Sequence, residues 1–131
     1  MVEDNLDDSC VFCDIIRGVE DAEKVMESEH YMAFYDTYPV NEGHTLIIPK
    51  HHVRYLENLD DFSAFFDFVE RVHGVLKEKH EPNSTNVGIN NGPEAGQTIP
   101  HVHCHIIPRY DGDMENPEGG VRGVIPSERT Y

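Results

Sequence analysis

Two hydrophobic periodicities divide the chain. Phe62, Phe65, Phe66, Val69, Val72 and Leu76 recur at helical spacing and mark one apolar stripe. Asp60 and Asp61 suit the start of that helix, where the backbone dipole is positive. Lys77 and Lys79 suit its end, and Pro82 lies beyond it. In His101-Val-His-Cys-His-Ile-Ile107 the period is two, which predicts a β-strand. His101, His103 and His105 then share one face, and Val102, Cys104 and Ile106 share the other. At roughly 3.3 Å per residue, neighbouring imidazoles start about 6.6 Å apart.

Shorter segments fill in around these two. Phe12–Gly18 reads as a short helix stopped by glycine. Lys24–Ser28 and Tyr31–Asp36 read as strands joined by a turn near Glu29-His30. Tyr38–Gly43 is a Pro/Gly loop, followed by an apolar strand over His44–Pro49. His51–Leu59 has room for a turn of helix. Asn86–Asn91 is a further strand, and Gly92–Gly96 is a loop. Strands, one long helix, then strands again predict an α+β domain: an antiparallel sheet with helix packed on one side. Residues 1–9 form a loose acidic arm, residues 10–110 the domain, and residues 111–131 a Gly-, Pro- and acid-rich tail with a short apolar patch at Val124-Ile125.

Composition narrows the partners. A chain of 131 residues is long enough for one domain with a real core. Its 25 acidic residues against 10 basic ones give a net charge of −15, which argues against nucleic acid or an anionic membrane as partner. No stretch has the length of a membrane span and the start is acidic, so a soluble cytoplasmic protein is expected. Cys10 and Cys13 are spaced as Cys-x-x-Cys. In such a compartment that spacing fits a redox pair, half of a zinc site, or neither.

The histidine row carries the chemistry. A single strand histidine is ordinarily a packing or surface residue. Three on one face need partners for six ring nitrogens, a cost that points to use. With an ordinary pKa near 6.5, imidazole is mostly neutral at pH 7. It can attack phosphorus, forming a covalent intermediate, while neighbouring rings donate to the phosphate oxygens. Gly96-Gln97-Thr98 offers close backbone approach and two polar side chains, and Asn90-Asn91-Gly92 adds amides at a strand end. His30, His73 and His80 lack such surroundings and read as surface or packing residues.

These residues resemble the histidine-triad superfamily, with its signature His-φ-His-φ-His-φ-φ, where φ is apolar. The likeness runs from about Cys10 to Tyr110 and includes Cys10-Val-Phe-Cys13-Asp-Ile-Ile, Ala33-Phe-Tyr-Asp36, Gly43-His-Thr-Leu-Ile-Ile-Pro-Lys50, Asn90-Asn-Gly-Pro-Glu-Ala-Gly-Gln-Thr98 and Ile107-Pro-Arg-Tyr110. The resemblance implies a five-stranded antiparallel sheet with two helices, in a homodimer whose sheets run together. It implies a nucleotidyl hydrolase or transferase acting on the α-phosphate of a purine nucleotide, with His103 as nucleophile. His105, Gln97 and Thr98 would contact the phosphate, and Asn90 and Gly96 would line the same pocket. Asp36 would hold the ribose hydroxyls, Phe12 and Ile15 would cover the base, and His44 would stand nearby. Zinc-containing members are similar at Cys10, Cys13, His52 and His101, which implies structural zinc. The loop from Gly92 is similar to dinucleoside-polyphosphate hydrolases and the Cys-x-x-Cys part to nucleoside phosphoramidases, so the leaving group stays open.

Two other readings fit some of the residues: a metal-dependent hydrolase using all three histidines as ligands, and a nucleotide-binding regulator with little turnover. The acid runs Glu3-Asp4, Asp7-Asp8, Glu20-Asp21 and Asp60-Asp61, beside only four lysines, further suggest a halophile's cytoplasm, where salt screens self-repulsion.

Overall fold

A computed structural model describes residues 5–131. Five strands, β1 (Lys24–Glu27), β2 (Tyr31–Tyr35), β3 (Thr45–Pro49), β4 (Ser84–Ile89) and β5 (Cys104–Arg109), form one sheet in the order β1-β2-β3-β5-β4. Every neighbouring pair is antiparallel. Helix α1 (Val11–Arg17) and helix α2 (Phe62–His80) complete the expected α+β architecture.

The two helices cover opposite faces. Ala33, Ile47, Cys104 and Ile106 point to α2 and pack with Phe65, Phe68, Val72 and Leu76. Met32, Phe34, Leu46 and Ile48 point the other way and pack with Phe12, Cys13 and Ile15. Strand β3 is buried along its whole length because it lies mid-sheet with both faces covered. Each large side chain so buried contributes roughly 1.5–3 kcal/mol.

Helix α2 starts where its carboxylates predict. The Asp61 side chain accepts from the Ala64 N–H at 2.9 Å, a cap worth about 1 kcal/mol. The stripe is rotated from the sequence reading. Phe68 is buried and Phe62 is 53% exposed, so the inward residues are Phe65, Phe68, Val69, Val72 and Leu76. Phe65→Ala would remove a ring from the centre of this layer, at a cost of about 3–5 kcal/mol.

Two boundaries depart from the sequence reading. The expected turn of helix between His51 and Leu59 is a short 3-10 turn at Leu56–Asn58. The histidine strand begins late, at Cys104 rather than His101. Pairing to β3 and to β4 both stop at Cys104, and the Pro49 carbonyl accepts from the His101 ring. The alternation survives without the ladder: Val102 joins the α2 layer while His101 and His103 meet Phe12 on the α1 side. Residues 1–4 of the expected loose arm lie outside the described residues. Its described end is tied down, with the Asn5 carbonyl accepting from the His52 N–H and the Asp7 N–H donating to Cys13 Sγ at 3.3 Å.

Candidate active site and cation centre

The histidine row crosses from a sealed interior to an open cavity. His101 is completely buried and His103 nearly so, whereas His105 is half-exposed. The Phe12 ring sits edge-on to both inner imidazoles, 5.8 Å from His101 and 5.0 Å from His103 between centroids. Phe12 and Ile15 are themselves buried, so they form the floor beneath the row.

Hydrogen-bond partners fix the tautomers. His103 Nδ1 lies 2.8 Å from the His101 carbonyl oxygen, which can only accept, so Nδ1 carries the proton. The Nε2 lone pair of His103 is then left unprotonated. His44 Nδ1 lies 3.0 Å from the Val40 N–H and must accept, so its proton is on Nε2. That Nε2 donates to His105 Nδ1 at 2.9 Å, which leaves His105 with a proton on its own Nε2. Asp36 stands behind this pair, with Oδ2 3.6 Å from His44 Nε2 and Oδ1 accepting from the Tyr38 N–H at 2.9 Å. The row thus presents one nucleophilic nitrogen beside one N–H donor.

Burial keeps these rings neutral. Desolvation, then the neighbouring His103 and His44, push His105 down to about 4. Desolvation lowers His103 and His44 as well, opposed by the His101 carbonyl and Asp36 for His103 and by Asp36 for His44. A neutral imidazole at His103 is the form that can attack phosphorus.

The far end of the row has different company. His101 donates from Nε2 to the Pro49 carbonyl at 3.0 Å, which turns its Nδ1 lone pair toward Cys10 Sγ at 3.5 Å and Cys13 Sγ at 3.6 Å. His52 Nδ1 lies 3.4 Å from Cys13 Sγ. A tetrahedral ion bound by sulfur at about 2.3 Å and nitrogen at about 2.0 Å spaces its ligands about 3.5 Å apart. The four donor atoms all lie within 4.8 Å of one another, so they fit such an ion. His51 turns away, with Nε2 3.7 Å from Asp60. Burial pushes the Cys13 thiol up to about 11, so without a cation that thiol stays protonated and unreactive.

In the loop before the row, Gln97 already has backbone partners. Gln97 accepts from the Gly92 N–H at 2.8 Å and donates to the Arg54 and Ile99 carbonyls at 2.9 and 3.1 Å. Its amide is consumed in holding the loop and does not face the cavity. Thr98 and Gly96 are exposed on that loop. Asn90 lines a cavity of about 570 Å³ that also touches His44 and His105. Sequence reasoning missed Asn41, Asn86, Arg109 and Arg129 on the same walls. Asn86 could have been found, since period two puts it on the same face of β4 as Gly88, with Asn90 just past the strand end. Arg129 could not, because its segment has no periodicity.

Residues 17–112 match the HIT domain. The chain is 41% identical over 109 residues to the adenosine 5′-monophosphoramidase HNT1 of Candida albicans, covering 79% of this chain and 72% of that protein. It is 39% identical over 110 residues to the adenylylsulfatase HINT3 of Arabidopsis thaliana, covering 82% of this chain and 56% of that one. A zinc-bound histidine triad family protein from Mycobacterium smegmatis superposes with a TM-score of 0.75 at 35% identity, over 82% of this chain and 80% of its own.

Proposed function

Because the chain belongs to the HIT family, with a HIT domain over most of its length, we propose that it is a nucleotidyl hydrolase working through His103. It attacks the α-phosphate of a purine nucleoside phosphoramidate or dinucleoside polyphosphate. The observation that carries this reading is the His103 tautomer: a carbonyl 2.8 Å from Nδ1 leaves Nε2 as a free lone pair. Nε2 bonds to phosphorus, the bond to the leaving group breaks, and its electron pair departs with that group. Water then attacks the nucleotidyl-histidine, releasing the mononucleotide and restoring the ring. A relative named as an adenosine monophosphoramidase and another named as an adenylylsulfatase support adenylate chemistry of this kind.

The other roles are those the family resemblance implies. His105 donates from Nε2 to a phosphate oxygen, and His44 fixes its tautomer while Asp36 reaches the ribose hydroxyls. Asn90 and the Gly96-Gln97-Thr98 loop border the phosphate, Gln97 through the shape it gives the loop. Phe12 and Ile15 lie on the base side. Cys10, Cys13, His52 and His101 hold one structural zinc, which ties α1 to the sheet and takes no part in the reaction. Two copies join through a sheet edge, which would cover backbone that otherwise invites aggregation. No described helix is long and apolar enough to cross a membrane, and the working place is the cytoplasm.

His103→Ala tests the mechanism. Turnover should fall at least about a thousandfold with nucleotide affinity and fold retained, and a nucleotide adduct on His103 should appear by mass spectrometry in the native enzyme. Near-normal turnover in that variant would rule the mechanism out.

A further inference from the structure

The cavity beside His105 has a wall that lies beyond the matched HIT domain. The tail is pinned at Asp113, which accepts from Arg109 Nε at 2.8 Å and Nη2 at 2.7 Å and from Asn41 Nδ2 at 2.7 Å. From there Met114, Pro117, Gly120 and Val121 line the cavity opposite residues of β4 and β5. Gly119 has φ 93°, and a Cβ there would collide with the Arg129 carbonyl, so the turn closes only around glycine. Arg129 Nη1 donates to the Asn116 and Glu118 carbonyls at 2.8 and 2.9 Å. These bonds hold Arg129, which lines the same 570 Å³ cavity as His44 and His105.

The charges on this wall do not cancel. Arg109 is matched by Asp113. Among the described residues, no carboxylate lies within ion-pairing distance of Arg129, and its Nε and Nη2 make no hydrogen bond. In a protein of net charge −15, carboxylates are the most abundant partners a guanidinium could have. A half-buried arginine held by carbonyls, with a fork of N–H groups left over, suits an oxyanion.

We infer that the tail forms the leaving-group side of the site, and that Arg129 selects an anionic leaving group, a sulfate or phosphate oxyanion attached to the α-phosphate. This rests on the nucleotidyl-hydrolase reading and deepens it. When His103 Nε2 bonds to phosphorus, the bridging P–O bond breaks and its electron pair stays on the departing oxygen. A sulfate or phosphate leaves as a stable anion and needs no proton, only positive charge nearby. An amine must gain a proton to leave, and a cationic amine would be repelled by Arg129.

The test compares adenosine 5′-phosphosulfate, diadenosine tetraphosphate and adenosine 5′-phosphoramidate as substrates for the native protein, Arg129→Gln and Arg129→Glu. Pyrophosphate and sulfate are also titrated by calorimetry into AMP-saturated protein. Arg129→Glu should lower kcat/KM on the oxyanion substrates about tenfold or more, with the phosphoramidate changed by less than about twofold. Both variants lose the Nη1 bonds, so a merely structural role predicts equal effects, whereas charge selection predicts a larger loss for glutamate than for glutamine. Loss confined to phosphosulfate and sulfate, or to tetraphosphate and pyrophosphate, supports the wall and says which oxyanion it takes. Equal losses on all three substrates, or anion affinities untouched by either variant, overturn the assignment and leave the hydrolase reading standing. If the native protein turns over none of the three yet loses anion affinity with Arg129→Glu, the hydrolase reading falls and the anion wall remains.

Discussion

His101 and His105 are the same residue type, four positions apart on the same side of one segment, yet they inhabit different chemistry. His101 is fully buried, bonded through Nε2 to a carbonyl, and turned with its other nitrogen toward two thiols. His105 is half-exposed and accepts a hydrogen bond from His44, with a carboxylate behind that donor. The soft sulfur and nitrogen donors at one end suit a zinc-like cation, while the Nε2–H donor left on His105 at the other suits a phosphate oxygen. Between them, His103 is oriented by the His101 carbonyl. Neighbours, more than the residue itself, assign the role.

The sharpest way to break the contrast is to remove the sulfur end. Cys10→Ser combined with Cys13→Ser should reduce bound zinc from about one per chain to none. Stability should fall by several kcal/mol, because metal affinity at a structural site is folding free energy. Initial activity at low temperature should fall less than stability does. Full zinc content in the double variant would remove the assignment of these ligands.

The oxygen end should show the reverse. His44→Ala removes the donor that fixes the His105 tautomer, so kcat should drop about 10- to 100-fold. Zinc content should stay unchanged and the melting temperature should change little, since His44 lies outside the two apolar layers. A variant with native kcat would show that His105 orients itself without help.

Much of this contrast was legible in the sequence. Period two put the three histidines opposite Val102, Cys104 and Ile106, and α2 does cover that apolar side. Strand alternation is local, so it survives even where the ladder stops. The ladder's end was not legible, because it depends on where β3 and β4 stop and on a His101 ring taking the Pro49 carbonyl. The α2 stripe was right at Phe65, Val69, Val72 and Leu76 and misjudged at its edge, where Phe68 is buried and Phe62 exposed. Phe62, Phe65, Phe66 and Phe68 are equally apolar, so composition alone cannot say which of them pack on the sheet. Gln97 looked like a ligand because glutamine advertises two hydrogen-bonding ends. Its actual partners are backbone groups, which every sequence carries and none displays. Arg129 was invisible, since a guanidinium on an aperiodic tail gains meaning only from the cavity beside it.

Acid should act on the row more gently than either substitution. An unfolded histidine takes its proton near 6.5, while burial holds His105 at about 4 in the fold. Between those values the unfolded chain binds more protons, so stability rises with pH. The contribution is therefore complete above about 6.5 and is lost as pH falls toward about 4. Allowing for the partial exposure of His105, the loss is about 1–2 kcal/mol. The upper half of that window lies above the carboxylate range, so scanning calorimetry there reads the histidines. His105→Asn should flatten the slope, and an unchanged slope would place the effect elsewhere.

Salt should leave both ends of the row alone and act only on the surface. Even if each of the 10 basic residues neutralised one carboxylate, 25 − 10 = 15 acidic groups would stay uncompensated. Many stand in open solvent, such as Asp60 and Glu29 with side chains 89% and 88% exposed. Raising KCl from about 0.1 to 1 M shortens screening from about 10 Å to about 3 Å, which removes most of their mutual repulsion. The same salt weakens surface pairs such as Lys24–Glu27 at 2.9 Å, but exposed pairs contribute only about 0–1 kcal/mol each and are few. Repulsion among the surplus acids outweighs them, so the melting temperature should rise by roughly 3–6 °C between about 0.1 and 2 M KCl. Zinc content and turnover should hold, since the donors that act there are buried or half-buried and screened less than surface charge. A flat or falling melting curve would mark an ordinary acidic protein with no adaptation to a saline cytoplasm, and loss of zinc across the same range would mean the sulfur end is less sealed than His101 is.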